Sequence, residues 1–179
     1  VSATPVREAF RKLAKDNLVV IVPWKGVTVK ADTPEEIVAL YQCREVMEGL
    51  GARLCARHAT PEQVAELKEL CKEMHAIEDA TARVEVNSRF HSMIAQFSGN
   101  DRVVDYLADF RERVNRDMYL SSFNAVRTHD CDDEHDHIVD AIERHDEVAA
   151  ENAMRKHINN AFIFKRANAE LQDKNLNEV

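Results

Sequence analysis

The chain has 179 residues, 45% hydrophobic and 31% charged, with a net charge of −8, which suits one solid core or a core with a small satellite. Four glycines and four prolines are too few for a strand-rich fold. No uncharged apolar run approaches the roughly 18 residues a membrane-spanning helix requires, so no membrane partner is expected. Cysteines at 43, 55, 71 and 131 form no close pair, which argues against a disulfide framework and for a reducing cytoplasm. No signal peptide is visible, and the opening Val rather than Met leaves room for residues upstream.

The charge is unevenly spread. Residues 1–30 hold six basic side chains (Arg7, Arg11, Lys12, Lys15, Lys25, Lys30) against Glu8 and Asp16, a local +4. The rest carries 18 basic against 30 acidic residues, or −12. A basic leading segment on an acidic body suggests two different partners.

In chain order, "SATPVREAFRKLAKDN" opens a helix, with Thr4 as cap and Pro5 at the first helical position, where its missing N–H costs nothing. Val6, Ala9, Phe10 and Leu13 form its apolar stripe. "LVVIVPWKGVTVK" is a β-hairpin signature, two β-branched runs around Pro-Trp-Lys-Gly. "ADTPEE" then starts a long helix, with Thr33 capping and Pro34 first. The pattern remains helical to the end, with helices expected near 34–58, 61–80, 83–98, 101–124, 130–145 and 146–172. Gly51 interrupts the first of these at a cost of about 1 kcal/mol against Ala, which points to a neighbouring helix approaching closely there.

The inner faces carry chemistry. At 100° per residue, Val84, Asn87, Ile94, Ala95 and Ser98 surround His91, so Asn87 and His91 share one inward i,i+4 face. In "DDEHDHIVDAI", His135 lies among Ile138, Val139 and Ile142 while His137 faces away. In the last helix His157 lies among Ala150, Ala153, Met154, Ala161 and Phe164. A single inward histidine is commonly a core residue hydrogen-bonded to a neighbour. Three from three helices, with Asn87 one turn from the first, are better explained by a shared cation. Three imidazole nitrogens and one oxygen suit Zn²⁺ or Ni²⁺. His58, His75, His129 and His145 lack that central placement. Arg44 sits on an apolar stripe with Glu48 one turn on, so it either pairs internally or receives a ligand carboxylate.

Taken together, "VSATPVREAFRKLAKDNLVVIVPWKGVTV" resembles the end of the winged helix-turn-helix of GntR-type transcription regulators. "EEIVALYQCREVMEGLGARLCA", "NSRFHSMIAQFSGN" and "EHDHIVDAIERHDEVAAENAMRKHI" resemble their FCD effector domain. The resemblance implies that Ser2, Thr4, Pro5 and Arg7 begin the recognition helix, with Arg7 at a guanine edge or phosphate, and that Lys25 and Gly26 form a wing tip beside the backbone. It assigns a divalent cation to Asn87, His91, His135 and His157, and the carboxylate of a small organic acid to Arg44. Ala3 stands where the family usually has a base-reading Arg, and Asn87 where many members have Asp, which removes a negative charge from the ligand set. The first two helices of the winged domain are absent from these residues, so operator DNA is expected to bind only to the full-length protein.

The expectation is an all-α protein, an antiparallel FCD-type bundle of about six helices preceded by the remnant of a winged helix-turn-helix. Residues 1–31 are expected to belong to the DNA-binding domain and 32–179 to the effector and dimerisation domain of a homodimeric regulator, most often a repressor in this family. The alternative is a helical metal-dependent hydrolase or isomerase using the three histidines, since an open metal position also activates water.

Overall fold

The computed structural model describes residues 3–15, 18–30, 32–110 and 128–177. Elements run α1 (Ala3–Lys15), β1 (Val19–Val22), β2 (Gly26–Val29), α2 (Pro34–His58), α3 (Pro61–Ala76), α4 (Ala80–Phe97), α5 (residues 101–110), α6 (Thr128–Glu143) and α7 (Glu147–Asn177). The compact units are Val1–Ile37 and Val38–Val179.

In the first unit β1 and β2 pair antiparallel, Val19 opposite Val29 and Val22 opposite Gly26. The turn between them closes with Lys25 N–H donating to Val22 O at 3.1 Å. Pro23 takes its first central position and Trp24 the second, at φ 65°. This is the type II pattern, whose second central position favours Gly or Asn. An L side chain there costs roughly 1–2 kcal/mol, yet the indole that bears the strain is fully exposed (104%) and recovers nothing by packing. Gly26 follows at φ 99°, a conformation glycine tolerates freely. Helix α1 begins at Ala3, two residues earlier than expected, so Thr4 and Pro5 are already helical. Ser2 lies outside the described residues. Within the apolar stripe of α1, Val6 and Leu13 are exposed and Phe10 is half-buried.

Helix α2 starts where the capping signal placed it. Glu36 N–H donates to Thr33 Oγ1 at 3.2 Å while Thr33 N–H donates to Glu36 Oε2 at 3.0 Å, a reciprocal capping box. Thr60 and Gln63 repeat the device at the start of α3. Helix α3 ends four residues earlier than expected, at Ala76, and Asp79 caps α4 by accepting from Ala82 N–H at 2.8 Å. This capping side chain explains why the loose join around 80 resolves into a stop and a start. Helix α6 ends two residues early, at Glu143, because His145 adopts φ 54° and Asp146 N–H reaches back to Ala141 O at 3.0 Å. The helix expected over 101–124 is described only to 110.

In the second unit α6 packs on α7 and on α3, and α3 packs on α4. Their shared core holds Leu67, Phe90, Ile138, Ile142, Met154 and Ile158, each almost completely buried. Burying such side chains contributes about 1.5–3 kcal/mol apiece before the entropy of ordering them is counted. Charged pairs fasten α2 to α7: Arg57 Nη2 to Glu147 Oε2 at 2.6 Å, Arg53 Nη1 to Glu151 Oε2 at 3.1 Å, and Arg155 Nε to Glu45 Oε1 at 2.9 Å. The close approach expected at Gly51 is ordinary, because an added Cβ would stand 3.4 Å from Val103 Cγ1. Gly49 is the tighter position, where a Cβ would fall 2.6 Å from Arg155 Cγ of α7.

Candidate metal centre

The histidines singled out by periodicity come together. His91 on α4, His135 on α6 and His157 on α7 offer nitrogens that all lie within 4.8 Å of one another. Their ring centroids stand 5.7 Å (His91–His135), 5.2 Å (His91–His157) and 4.5 Å (His135–His157) apart. His135 and His157 are 1% and 3% exposed. The Phe90 ring, 4.6 Å from that of His135, supplies an apolar wall. The remaining described histidines at 58, 75, 137 and 145 are exposed, as their off-centre positions implied. His129 has no described side-chain environment.

The donor set fits a divalent cation. His91 Nε2 is buried without a hydrogen bond, an arrangement that costs free energy unless a ligand satisfies it. His157 Nδ1 lies 2.8 Å from Glu134 Oε2, and the other oxygen of that carboxylate accepts from Asn160 Nδ2 at 2.7 Å. A carboxylate on Nδ1 fixes the tautomer and makes Nε2 the ligating nitrogen of that ring in a metal complex, the carboxylate–histidine–metal arrangement. Glu134 lies about 100° around α6 from His135, so helical angle alone does not join it to the histidine face. Its partner is instead on α7, which no single-helix projection displays. Cys131, one turn before His135, forms a second close group with Glu134 and His157, again with donors within 4.8 Å. Asn87 is half-buried on α4, one turn before His91.

Arg44 is 4% exposed and its internal partner is present: Nε donates to Glu48 Oε1 at 2.8 Å, both side chains buried. The guanidinium carbon also lies 5.0 Å from the centroid of the Tyr41 ring. Glu48 Oε2 faces His91 Nδ1 in an ion pair across to α4. Burial alone would raise the Glu48 carboxyl, but the Arg44 guanidinium, then the His91 ring, outweigh it and hold the group far below the usual carboxylate range. Glu48 therefore joins the buried cation on α2 to the histidine cluster, a link the sequence reading foresaw only as an Arg44–Glu48 pair.

Comparison with known proteins settles the class. The FCD domain family matches residues 39–160, most of the second unit. The chain belongs to the FCD family. Among curated relatives of this FCD chain, the HTH-type transcriptional repressor RspR of Escherichia coli is 29% identical over 161 residues, covering 88% of the chain and 71% of the relative. A GntR transcriptional regulator from Rhodococcus sp. RHA1 superposes with a TM-score of 0.79 at 28% identity, over 93% of this chain and 81% of that one. E. coli McbR/YncC shares the fold, with a TM-score of 0.81 at 18% identity over 94% of this chain and 87% of that one. The FCD chain is a GntR-type transcription regulator, mostly helical with a two-stranded sheet, and not an enzyme, so the hydrolase or isomerase alternative falls. No helix among the described residues is long and apolar enough to cross a membrane.

Proposed function

We propose that the chain belongs to a cytoplasmic, metabolite-responsive repressor that acts as a homodimer on operator DNA. Residues 1–31 read DNA and residues 32–179 sense a small organic acid and join the subunits. The observation that carries this reading is the convergence of His91, His135 and His157 beside the buried Arg44–Glu48 pair.

His91, His135 and His157, with the Asn87 carbonyl oxygen, hold a divalent cation, Zn²⁺ or Ni²⁺ by the chemistry of the donors. Bound there, the cation supplies a Lewis-acidic position for an oxygen of the acid. Arg44 takes a carboxylate of the same acid through its planar fork. Because Glu48 already neutralises Arg44, the acid has to share or displace that carboxylate, and doing so loosens its hold on His91. A carboxylate exchange at the junction of α2 and α4 thus biases how these helices pack, and the acid shifts the equilibrium only by its differential affinity for the two packings. In the DNA-reading unit, Ser2, Thr4, Pro5 and Arg7 meet the major groove while Lys25 and Gly26 lie along the backbone.

The test is operator affinity of the full-length protein, titrated with and without small organic acids in metal-loaded buffer. A change of tenfold or more with one acid, absent in Arg44→Ala, is the expected result. Unchanged affinity across all acids tried would sink the sensor reading.

A further inference from the structure

Cys131 lies on α6 one turn before His135, outside the three-histidine group and beside it. Its sulfur, a carboxylate oxygen of Glu134 and a ring nitrogen of His157 all fall within 4.8 Å of one another. Two of these donors come from one helix, three residues apart, and the third from α7, so the packing of α6 on α7 brings them together. Two are already held in place: Glu134 Oε2 lies 2.8 Å from His157 Nδ1, and Oε1 accepts from Asn160 Nδ2 at 2.7 Å. His157 is buried while Cys131 and Glu134 are half-buried, so the group is open toward solvent on the Cys131 side. Orienting His157 needs only Glu134 and makes no use of the sulfur.

We propose that Cys131, Glu134 and His157 form a second metal site, which takes a thiophilic divalent cation softer than zinc or nickel. The ion replaces the proton between Glu134 Oε2 and His157 Nδ1. That proton moves to Nε2 of the same ring, the thiol proton leaves to solvent, and the ion gains one sulfur, one oxygen and one nitrogen. Even for a zinc-sized ion, tetrahedral ligands stand roughly 3.4–3.6 Å apart, so the carboxylate and ring part by about half an ångström and the sulfur closes by at most about 1.2 Å. Zinc and nickel are served by the neutral imidazoles of the first group without loss of a thiol proton. Only a cation that binds sulfur strongly offsets that loss at the second. With its proton on Nε2, His157 serves one group at a time, and the second site stands whether or not the first binds an ion of its own.

The experiment titrates cadmium alone into metal-free, full-length protein kept reduced by a phosphine. Two signals are read: the ultraviolet charge-transfer absorption of a thiolate–cadmium bond, and native-state alkylation of Cys131 by peptide mass mapping. The expected result is absorption in wild type that Cys131→Ser lacks, with Cys131 protected from alkylation once cadmium is bound. Glu134→Gln needs about tenfold more cadmium for the same absorption. His135→Ala and His91→Gln, which each remove a ligand of the first group only, keep both signals; circular dichroism identifies which of the two is folded. Absorption equal in wild type and Cys131→Ser, or Cys131 alkylated equally with and without cadmium, overturns the proposal. Absorption lost in a folded His135→Ala or His91→Gln makes Cys131 a ligand of the three-histidine ion and also overturns it. Thiolate absorption in a wild type that takes up no nickel supports this site while the sensor reading fails.

Discussion

The Arg44 guanidinium and the Glu48 carboxylate, one helical turn apart on α2, meet at 2.8 Å with side chains only 5% and 6% exposed. A buried pair of this kind is costly to break from one side, because the survivor stays charged and desolvated. Glu48→Gln is therefore expected to destabilise the fold by about 3 kcal/mol or more in urea denaturation. Adding Arg44→Met to that variant recovers part of the loss. Millimolar small carboxylates should raise the melting temperature of Glu48→Gln more than that of wild type, because they replace the missing anion beside Arg44. Equal shifts in both proteins would place acid binding away from Arg44.

In the proposed metal site Glu134 reaches the cation through His157. Glu134→Gln keeps the side chain's shape but removes the charge that Nδ1 of His157 meets at 2.8 Å. Zinc or nickel affinity, measured by calorimetry, is expected to fall 10- to 100-fold, with the circular dichroism of the metal-free protein unchanged. His135→Ala abolishes measurable uptake. In wild type, metal at about 100 times its dissociation constant raises stability by about 2.7 kcal/mol, and chelator reverses this. A metal-independent melting temperature would contradict the assignment.

The cysteines should separate sharply in reactivity. Burial pushes the Cys55 thiol up to about 12. Cys71 is likewise pushed up to about 12, by burial and then by the nearby carboxylates of Asp136, Asp132 and Asp140. The thiolate is the reactive species, so both are inert at neutral pH. Cys43 is exposed. Native-state labelling followed by peptide mass mapping is expected to modify Cys43 first, with Cys55 and Cys71 reacting only after denaturation. Early labelling of Cys55 would show that α2 opens locally.

His75 on α3 bonds through Nε2 to Asp136 of α6 at 2.9 Å, with Nδ1 facing the buried Asp132. The Asp136 hydrogen bond, against a small burial cost, raises the imidazole above its ordinary value. The folded state therefore binds the proton more tightly than the unfolded chain does. Its contribution is fully present below the unfolded imidazole value near pH ~6.5 and is lost as pH rises through the raised folded value. The side chain is 42% exposed, so solvent screening reduces the effect to a few tenths of a kcal/mol. Stability measured on both sides of that window should fall slightly more in wild type than in His75→Gln. A steeper fall in the variant would reverse the sign and refute the pairing.

Much of the protein was legible one element at a time. A capping residue announced the start of α2, β-branched runs announced the hairpin, and helical angles alone turned His91, His135 and His157 inward while leaving His137 outside. These are local properties: backbone preference and periodicity act within a few residues of their cause. They set the type of each element and the face each histidine takes, and the ordered motifs carried the family.

Relations across helices were decided by packing. That three rings end 4.5 to 5.7 Å apart depends on the register of α4, α6 and α7, which is set by how core side chains such as Phe90, Ile138 and Ile158 interlock. The second allegiance of Glu48 to His91 and the grip of Glu134 on His157 likewise depend on how α2, α4, α6 and α7 pack, whereas the Arg44–Glu48 pair lies within α2 alone. A helical angle says which way a side chain points. Only close packing between rods distant in sequence decides what it meets there.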